Sequence, residues 1–354
     1  MRVLHVISEM GAGGAEALVA GMARTGPEFG WQTAVASAGG HRADALRRHG
    51  VPTFTVPAPH RKAAGVLRAT AATRSAIKDF RPEVVLAHNV SASMVARLAL
   101  LPRRVPLLTV FHGVADADYA GAARILRRTS RAVVTVAEAT AARLRAAGLT
   151  PDPVVIPNAV FPQEPRVDRA TVRAALGAPS EVPVALCLAR LEPQKRHDVL
   201  LEAWKRVGGG AELWLAGDGS LRRSLERNAA GLPGVRFLGN RPDVPDLLAA
   251  ADVTVLTSDW EGMPVAVLES LAAGRPVVAT EVDGVGEALA GGGGLVVPRR
   301  NPEAAAEALR LFLFDAGKRA VEGAAGQASV SRAHNPCVLM RSYDELLREW
   351  EGRR

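Results

Sequence analysis

Cysteine is nearly absent: Cys187 and Cys337 are the only two in 354 residues. They lie too far apart to suggest a disulfide framework or a metal cluster, and Cys187 falls inside an apolar, strand-like run, so a reducing, cytoplasmic setting is expected. Aromatic residues make up only 4% of a chain that is 48% hydrophobic, which leaves Ala, Val and Leu to fill the interior. No apolar stretch approaches the roughly 20 residues that span a bilayer. Met1-Arg2 leads only into the short run Val3 to Ile7 before polar and glycine residues intervene, so neither an export signal nor a membrane anchor is expected.

Negative charge is scarce in the first 160 residues. Residues 1–160 carry 20 Lys and Arg against 10 Asp and Glu, whereas residues 161–354 carry 24 against 26. The basic residues are scattered, without a nucleic-acid motif or aromatic interleaving, and nucleic acid is therefore not expected as a partner. A peripheral contact with an anionic membrane or a phosphorylated acceptor would suit the excess. An Arg-rich composition with a solvated face explains it more simply. The length fits two domains of ordinary size.

What is present is a repeated alternation of short β-branched runs with Ala-rich helical stretches. Strands are expected at residues 2–7, Thr33 to Ala36, Pro52 to Val56, Val84 to Ala87, Leu107 to Phe111, Val133 to Val136 and Val154 to Ile156. The pattern predicts a parallel sheet covered by helices on both faces, in which ligands collect beyond the carboxyl ends of the strands. The first such end carries Gly11-Ala-Gly13-Gly14-Ala-Glu16. Glu16 stands where a dinucleotide fingerprint needs its third glycine, and no acidic residue closes the second strand, so NAD is disfavoured. His88 and His112 each follow a strand directly and are expected to point into a crevice. Asp116-Ala-Asp118, just beyond, is read as a solvated or acceptor-contacting pair, and no metal is expected.

The alternation resumes at Val184 to Leu188, and Arg190 and Lys195 follow that strand. Two cations at a strand end can neutralise a diphosphate, Arg by bidentate hydrogen bonds and Lys as a point charge. Gly217-Asp218-Gly219 and Gly239-Asn-Arg241 are further turns at strand ends. The densest stretch runs from Val253 to Thr280: a strand, a loop containing Glu261-Gly262-Met263-Pro264, a short helix Val265 to Ala273, and another strand. Pro264 suits a first helical position, and the free N–H groups of a helix start can receive phosphate. Seven residues separate Glu261 from Glu269. Later helices are read at Arg173 to Gly177, Glu303 to Leu313 and Pro336 to Trp350.

Taken in order, these elements resemble retaining glycosyltransferase family 4. The resemblance rests on the Glu-x7-Glu pair at 261 and 269, on Arg190-Leu-x-x-x-Lys195, on Thr109-Val-Phe-His112-Gly113, on the Gly-Gly-x-Glu of residues 13–16 and on Ile156-Pro-Asn. It departs at Arg196, where glycine is usual, and at Ala159, where the family has another. It implies an α/β GT-B fold of two doubly wound, Rossmann-like domains facing a central crevice: 1–160 for the acceptor, 161–335 for the donor, and a helix at 336–354 that crosses back to the first domain. It also implies transfer of a sugar from a nucleoside diphosphate sugar, a UDP-sugar in preference to a GDP-sugar, to a hydroxyl acceptor.

In that scheme Arg190 and Lys195 hold the diphosphate, and Glu261 and His112 contact the donor sugar. Glu269 accepts from the ribose hydroxyls. Gly13, Gly14, His88, Gly217, Asp218, Gly219, Arg241, Gly262, Met263, Pro264 and Val265 complete the substrate contacts. A sugar-nucleotide epimerase or hydrolase and a noncatalytic nucleotide-sugar-binding protein are the alternatives.

Overall fold

The computed structural model describes residues 1–58 and 63–351, so the end of the expected 336–354 segment, residues 352–354, lies outside the described part. The chain forms two compact units. One comprises Met1–Asn158 together with the closing helix Pro336–Glu351, and the other comprises Ala159–Asn335.

The first unit is built on seven strands: β1 (Arg2–Val6), β2 (Gln32–Ser37), β3 (Thr53–Thr55), β4 (Val84–Ala87), β5 (Leu107–Phe111), β6 (Ala132–Thr135) and β7 (Val154–Val155). They pair in parallel in the order β3-β2-β1-β4-β5-β6-β7. β4, β5 and β6 are buried at every residue. Their sequences accordingly read as continuous apolar runs, as strands covered on both faces do. The closing helix is anchored to this unit by a hydrogen bond of 2.8 Å from the Trp31 indole N–H to Asp344 and by the buried Tyr343 and Leu347.

The second unit has six strands, β8 (Val184–Leu188), β9 (Glu212–Ala216), β10 (Val235–Gly239), β11 (Val253–Leu256), β12 (Val277–Thr280) and β13 (Gly294–Val297). They too are parallel, in the order β10-β9-β8-β11-β12-β13. Leu200, Trp204, Leu213, Leu309 and Phe312 fill the core between this sheet and the helices His197–Val207 and Pro302–Phe314.

The structure changes two expectations about helices. The one read from Arg173 begins at Arg169 and ends at Ala175, because the Asp168 carboxylate caps it by accepting the Thr171 N–H at 3.0 Å. An 18-residue helix, Ala316–Ala333, has no counterpart among the helices expected from the sequence. Its small residues exist for packing: a Cβ on Gly323 would lie 2.3 Å from Gly274 O, and one on Gly326 would lie 2.6 Å from Leu271 Cδ2.

Arg173 is only 2% exposed. Its guanidinium donates to the carbonyls of Pro179, Ser180, Val182 and Ala250 and to Asp252 at 2.7 Å. Burial pushes its pKa down, Arg169 adds to that, and Asp252 opposes it. Asp252 also accepts the Val184 N–H at 2.8 Å, which ties this network to the first residue of β8. Removing one partner of a buried charge pair leaves the other stranded, so Asp252→Ala is expected to lower stability by roughly 3–5 kcal/mol in urea unfolding. A loss under about 1 kcal/mol, the range of an exposed ion pair, would contradict this reading.

Candidate active site

In the second unit the strand order reverses between β8 and β11: β9 and β10 lie on one side of β8, while β11 to β13 lie on the other. The loops leaving the carboxyl ends of these two strands therefore diverge, and ligands bind at such switch points in open parallel sheets. The loop after β8 is stapled to the loop after β11. Asp259 N–H donates to Gln194 O at 2.8 Å, the Gln194 side chain donates to Trp260 O at 2.8 Å, and Thr257 Oγ1 donates to Lys195 O at 3.0 Å. These bonds bring Lys195 Nζ into an ion pair with Glu261 Oε1. Ser258 Oγ donates to the same carboxylate oxygen at 2.6 Å. The two charged side chains are 14% and 10% exposed, so little water screens them.

Arg190, five residues before Lys195, has an exposed side chain with no hydrogen bond among the described residues. Its backbone is fixed firmly. Ala189 N–H donates to Ala216 O at 3.2 Å, Leu191 N–H to Asp218 O at 2.9 Å, and Leu221 N–H to Leu191 O at 2.9 Å. The contact is too close for side chains on the facing turn. A Cβ on Gly217, whose φ is +153°, would lie 2.0 Å from Ala189 O, and one on Gly219 would lie 2.5 Å from Leu191 O. Gly217 N–H also donates to Gly239 O at 2.8 Å, so the turn preceding Arg241 joins the same ladder. The Asp218 carboxylate accepts from Gly219 N–H and Arg222, and the Arg241 guanidinium is held by Asp243 at 2.8 Å, which raises its pKa.

Gly262, Met263, Pro264 and Val265 are all buried, and Glu269 is half-buried on the helix that follows. Pro264 is the N-cap of that helix, Val265–Ala272, with ψ at 115°, and not its first helical residue as expected. Its ring fixes φ near the helical value, but the extended ψ keeps it one position outside the helix. The turn at Gly284, φ +75°, packs on this segment so closely that a Cβ there would lie 2.2 Å from Gly262 O.

Arg196 occupies a left-handed conformation, φ +48° and ψ +47°. Glycine adopts that region without strain, which is the physical reason the resembling pattern carries one there. The guanidinium donates to Asp198 and Asp259, and its hydrogen bonds to Asp198 raise its pKa further. Burial would raise the pKa of Asp259, but hydrogen bonds from Arg300 and Arg196 outweigh burial and leave it below its ordinary value.

In the first unit the order reverses between β1 and β4. Asn89 caps the helix Val90–Leu100 by accepting Ala92 N–H at 2.7 Å, and its amide donates to Ser8 Oγ at 3.1 Å, joining the loops after the two strands. His88 and His112 do come together, through a partner that sequence reading missed. His5, inside β1, stacks on His88 with ring centroids 5.3 Å apart, and His88 stacks on His112 at 5.9 Å. His5 Nδ1 and His88 Nε2 are 3.0 Å apart, one donating to the other. His5 Nε2, His88 Nδ1 and His112 Nε2 have no partner among the described residues. Burial lowers the pKa of His5 and of His112 to about 4. Burial, with His5 and His112 nearby, places that of His88 well below 6.5.

Gly13 and Gly14 open the helix Gly14–Thr25. The Glu16 side chain folds against Gly13, where a Cβ would meet its Oε2 at 2.0 Å. The preceding turn is held by the segment 39–42, through Met10 N–H to Gly39 O at 2.8 Å and Arg42 Nε to Gly11 O at 3.1 Å. Asp116 pairs with Arg143 at 2.6 Å, and Asp118 is exposed. Among the described residues no group of three or more His, Cys, Asp or Glu is arranged to hold a metal.

Residues 12–164 match the family model described as Glycosyltransferase Family 4, and residues 182–315 match that of Glycosyl transferases group 1. The chain is 31% identical over 299 residues to a GDP-mannose-dependent alpha-(1-6)-phosphatidylinositol dimannoside mannosyltransferase of Mycobacterium tuberculosis, covering 76% of this chain and 75% of that one. The chain belongs to glycosyltransferase family 4. A second relative of this transferase, the lipopolysaccharide core biosynthesis glycosyltransferase LpsE of Rhizobium meliloti, is 34% identical over 182 residues, which are 50% of this chain and 53% of LpsE. Among solved structures, Anabaena HepE in complex with UDP and glucose superposes with a TM-score of 0.85 at 23% identity, over 98% of this glycosyltransferase and 99% of HepE. Sucrose-phosphate synthase from Thermosynechococcus elongatus gives 0.81 at 18% identity, over the whole of both chains. The fold is GT-B, as the sequence led one to expect.

The histidine stack gives the glycosyltransferase a pH signature. In the unfolded chain His5 and His112 titrate near 6.5, but in the folded chain near 4. Between those values the unfolded state binds more protons, so stability falls as pH drops through that window, by up to about 1.4 kcal/mol per pH unit for each histidine. Above pH 6.5 neither contributes a slope. Denaturant midpoints from pH 7 to 4.5 are expected to fall less steeply in His5→Asn than in the parent; parallel curves would refute the assignment.

Proposed function

We propose that this enzyme transfers a hexose with retention from a nucleoside diphosphate sugar to a hydroxyl of a glycolipid or related glycoconjugate. One observation carries the reading: the Lys195–Glu261 ion pair at the switch point of the second unit, with Arg190 on the backbone ladder beside it. The Glu261 carboxylate accepts from both the Lys195 ammonium and the Ser258 hydroxyl. An arriving diphosphate brings negative charge to Lys195 and to the exposed guanidinium of Arg190, and this charge grows as the sugar departs. Preorganised donors aimed at such a charge contribute ~3–4 kcal/mol each.

Glu261, released in part from Lys195, then faces the donor sugar, while Glu269 accepts from the ribose. Gly217, Asp218, Gly219 and Arg241 serve the nucleotide through their turns, and Gly262, Met263, Pro264 and Val265 present the helix start to phosphate. His112, His88 and the Gly13–Gly14 turn serve the transferred sugar and the acceptor. No carboxylate is assigned as a covalent nucleophile, and same-face displacement assisted by the leaving phosphate is the mechanism proposed.

The name of the 31%-identical mannosyltransferase supports a GDP-linked hexose over the uridine preferred from sequence. A thermal-shift screen across nucleoside diphosphates decides the base. The lipid acceptors in the names of these relatives support a lipid-borne acceptor and peripheral contact with an anionic membrane.

The two glutamates are expected to behave differently. Removing a charged hydrogen-bond partner costs roughly 1.5–3 kcal/mol, so Glu269→Ala should weaken free nucleoside diphosphate about ten- to a hundredfold. Glu261→Gln releases Lys195 and should leave nucleotide affinity unchanged or higher while transfer falls. Calorimetry with the nucleotide and turnover of the full donor check both; equal losses of affinity would refute the division. Transfer is also expected to persist in excess chelator, because Arg190 and Lys195 supply the charge a metal would bring. Activity lost to chelator and restored by magnesium or manganese would overturn that.

A further inference from the structure

The helices Val90–Leu100 and Tyr119–Thr129 pack side by side on one face of the first unit. Residues 90–104 and 119–131, which contain them and their following loops, hold seven arginines and no acid. Arg97, Arg103, Arg104, Arg124, Arg127 and Arg128 are all exposed, and none forms a salt bridge among the described residues. Arg97, Arg103, Arg104, Arg128 and Arg131 line a hollow of about 490 Å³ that contains no carboxylate.

Apolar side chains stand beside the same cations. Met94, Leu98 and Leu101 are 39%, 43% and 47% exposed. Their spacing of four and three residues places them in one row along the helix surface. A row of exposed aliphatic side chains ending at Leu101-Pro102, followed at once by Arg103-Arg104, is more than a solvated basic face requires. The leucines gain nothing from water, and the arginines form no salt bridge among the described residues, although Asp79 and Glu83 line a neighbouring hollow that reaches Arg103 and Arg104.

We infer that this face docks on an anionic bilayer. Leu98 and Leu101 enter the headgroup and acyl boundary, and the arginines around the hollow neutralise lipid phosphates. The inference deepens the membrane contact of the proposed function, and it rests on that reading for its purpose. Nucleic acid would also satisfy the arginines, but it offers nothing to the leucines, because its affinity comes from phosphate neutralisation.

Co-sedimentation of the full chain with vesicles of phosphatidylcholine alone, and of phosphatidylcholine mixed with phosphatidylglycerol, tests the inference. The anionic vesicles are expected to bind at least tenfold more tightly, with binding lost at high salt. Leu98→Glu combined with Leu101→Glu, and separately Arg103→Glu combined with Arg104→Glu, should each reduce binding by about tenfold or more. Both double variants should bind nucleoside diphosphate like the parent, which shows that they fold and keeps a failure here separate from a failure of the transferase reading. Equal partition onto neutral and anionic vesicles, or undiminished binding by either variant, overturns the inference. So does a duplex oligonucleotide that displaces the vesicles and binds the leucine variant as tightly as the parent.

Discussion

A largely buried ion pair between side chains 66 residues apart makes one object of two loops. Taking a charge out of water costs several kcal/mol unless a partner meets it in good geometry. Glu261 thus offsets the burial of Lys195 at 14% exposure, and Lys195 and Ser258 together offset that of Glu261. The hydrogen bonds that the Gln194 and Thr257 side chains donate to the backbone of the facing loop supply that geometry, and the strand order of the sheet supplies the proximity. Because the pair sits where β8 and β11 part, the scaffold and the proposed donor site share one constraint. The loops that must be locked for stability are the loops proposed to receive diphosphate.

The same economy of space shapes the neighbouring turns. Gly217, Gly219 and Gly284 sit where any side chain would collide with a carbonyl of a facing loop, which lets the backbones of these turns pack directly on their neighbours. On the far side of the helix Val265–Ala272, Gly323 and Gly326 allow the helix Ala316–Ala333 to press against Leu271 and Gly274. The helix that carries Glu269 is thus supported from behind by residues of little apparent character.

Most of the fold was legible because fully buried parallel strands write themselves as apolar runs. β4, β5, β8, β11 and β12 fall on the residues expected for them. Glu261, Glu269 and the cations at 190 and 195 stood out in the sequence because charged residues after apolar strands are conspicuous, and the structure pairs Lys195 with Glu261. The helix Ala316–Ala333 was not, since its glycines and alanines show little apolar periodicity and its reason for being helical lies in packing on another helix. The start at Arg169 was hidden in a stretch rich in Pro and charge, where only the Asp168 cap marks it. His5 was invisible for a different reason. A histidine within an apolar strand reads as core, and it becomes a neighbour of His88 only once β1 and β4 are known to be adjacent.

The central claim is that the ladder around Arg190 and the Lys195–Glu261 pair receive the donor diphosphate. Amide hydrogen exchange on the full chain, followed by mass spectrometry with and without saturating nucleoside diphosphate, tests it most directly. The expected result is new protection concentrated in residues 189–196, 217–220 and 258–269. Protection absent from all three segments, or confined to residues 8–16 and 88–113 of the first unit, would contradict it.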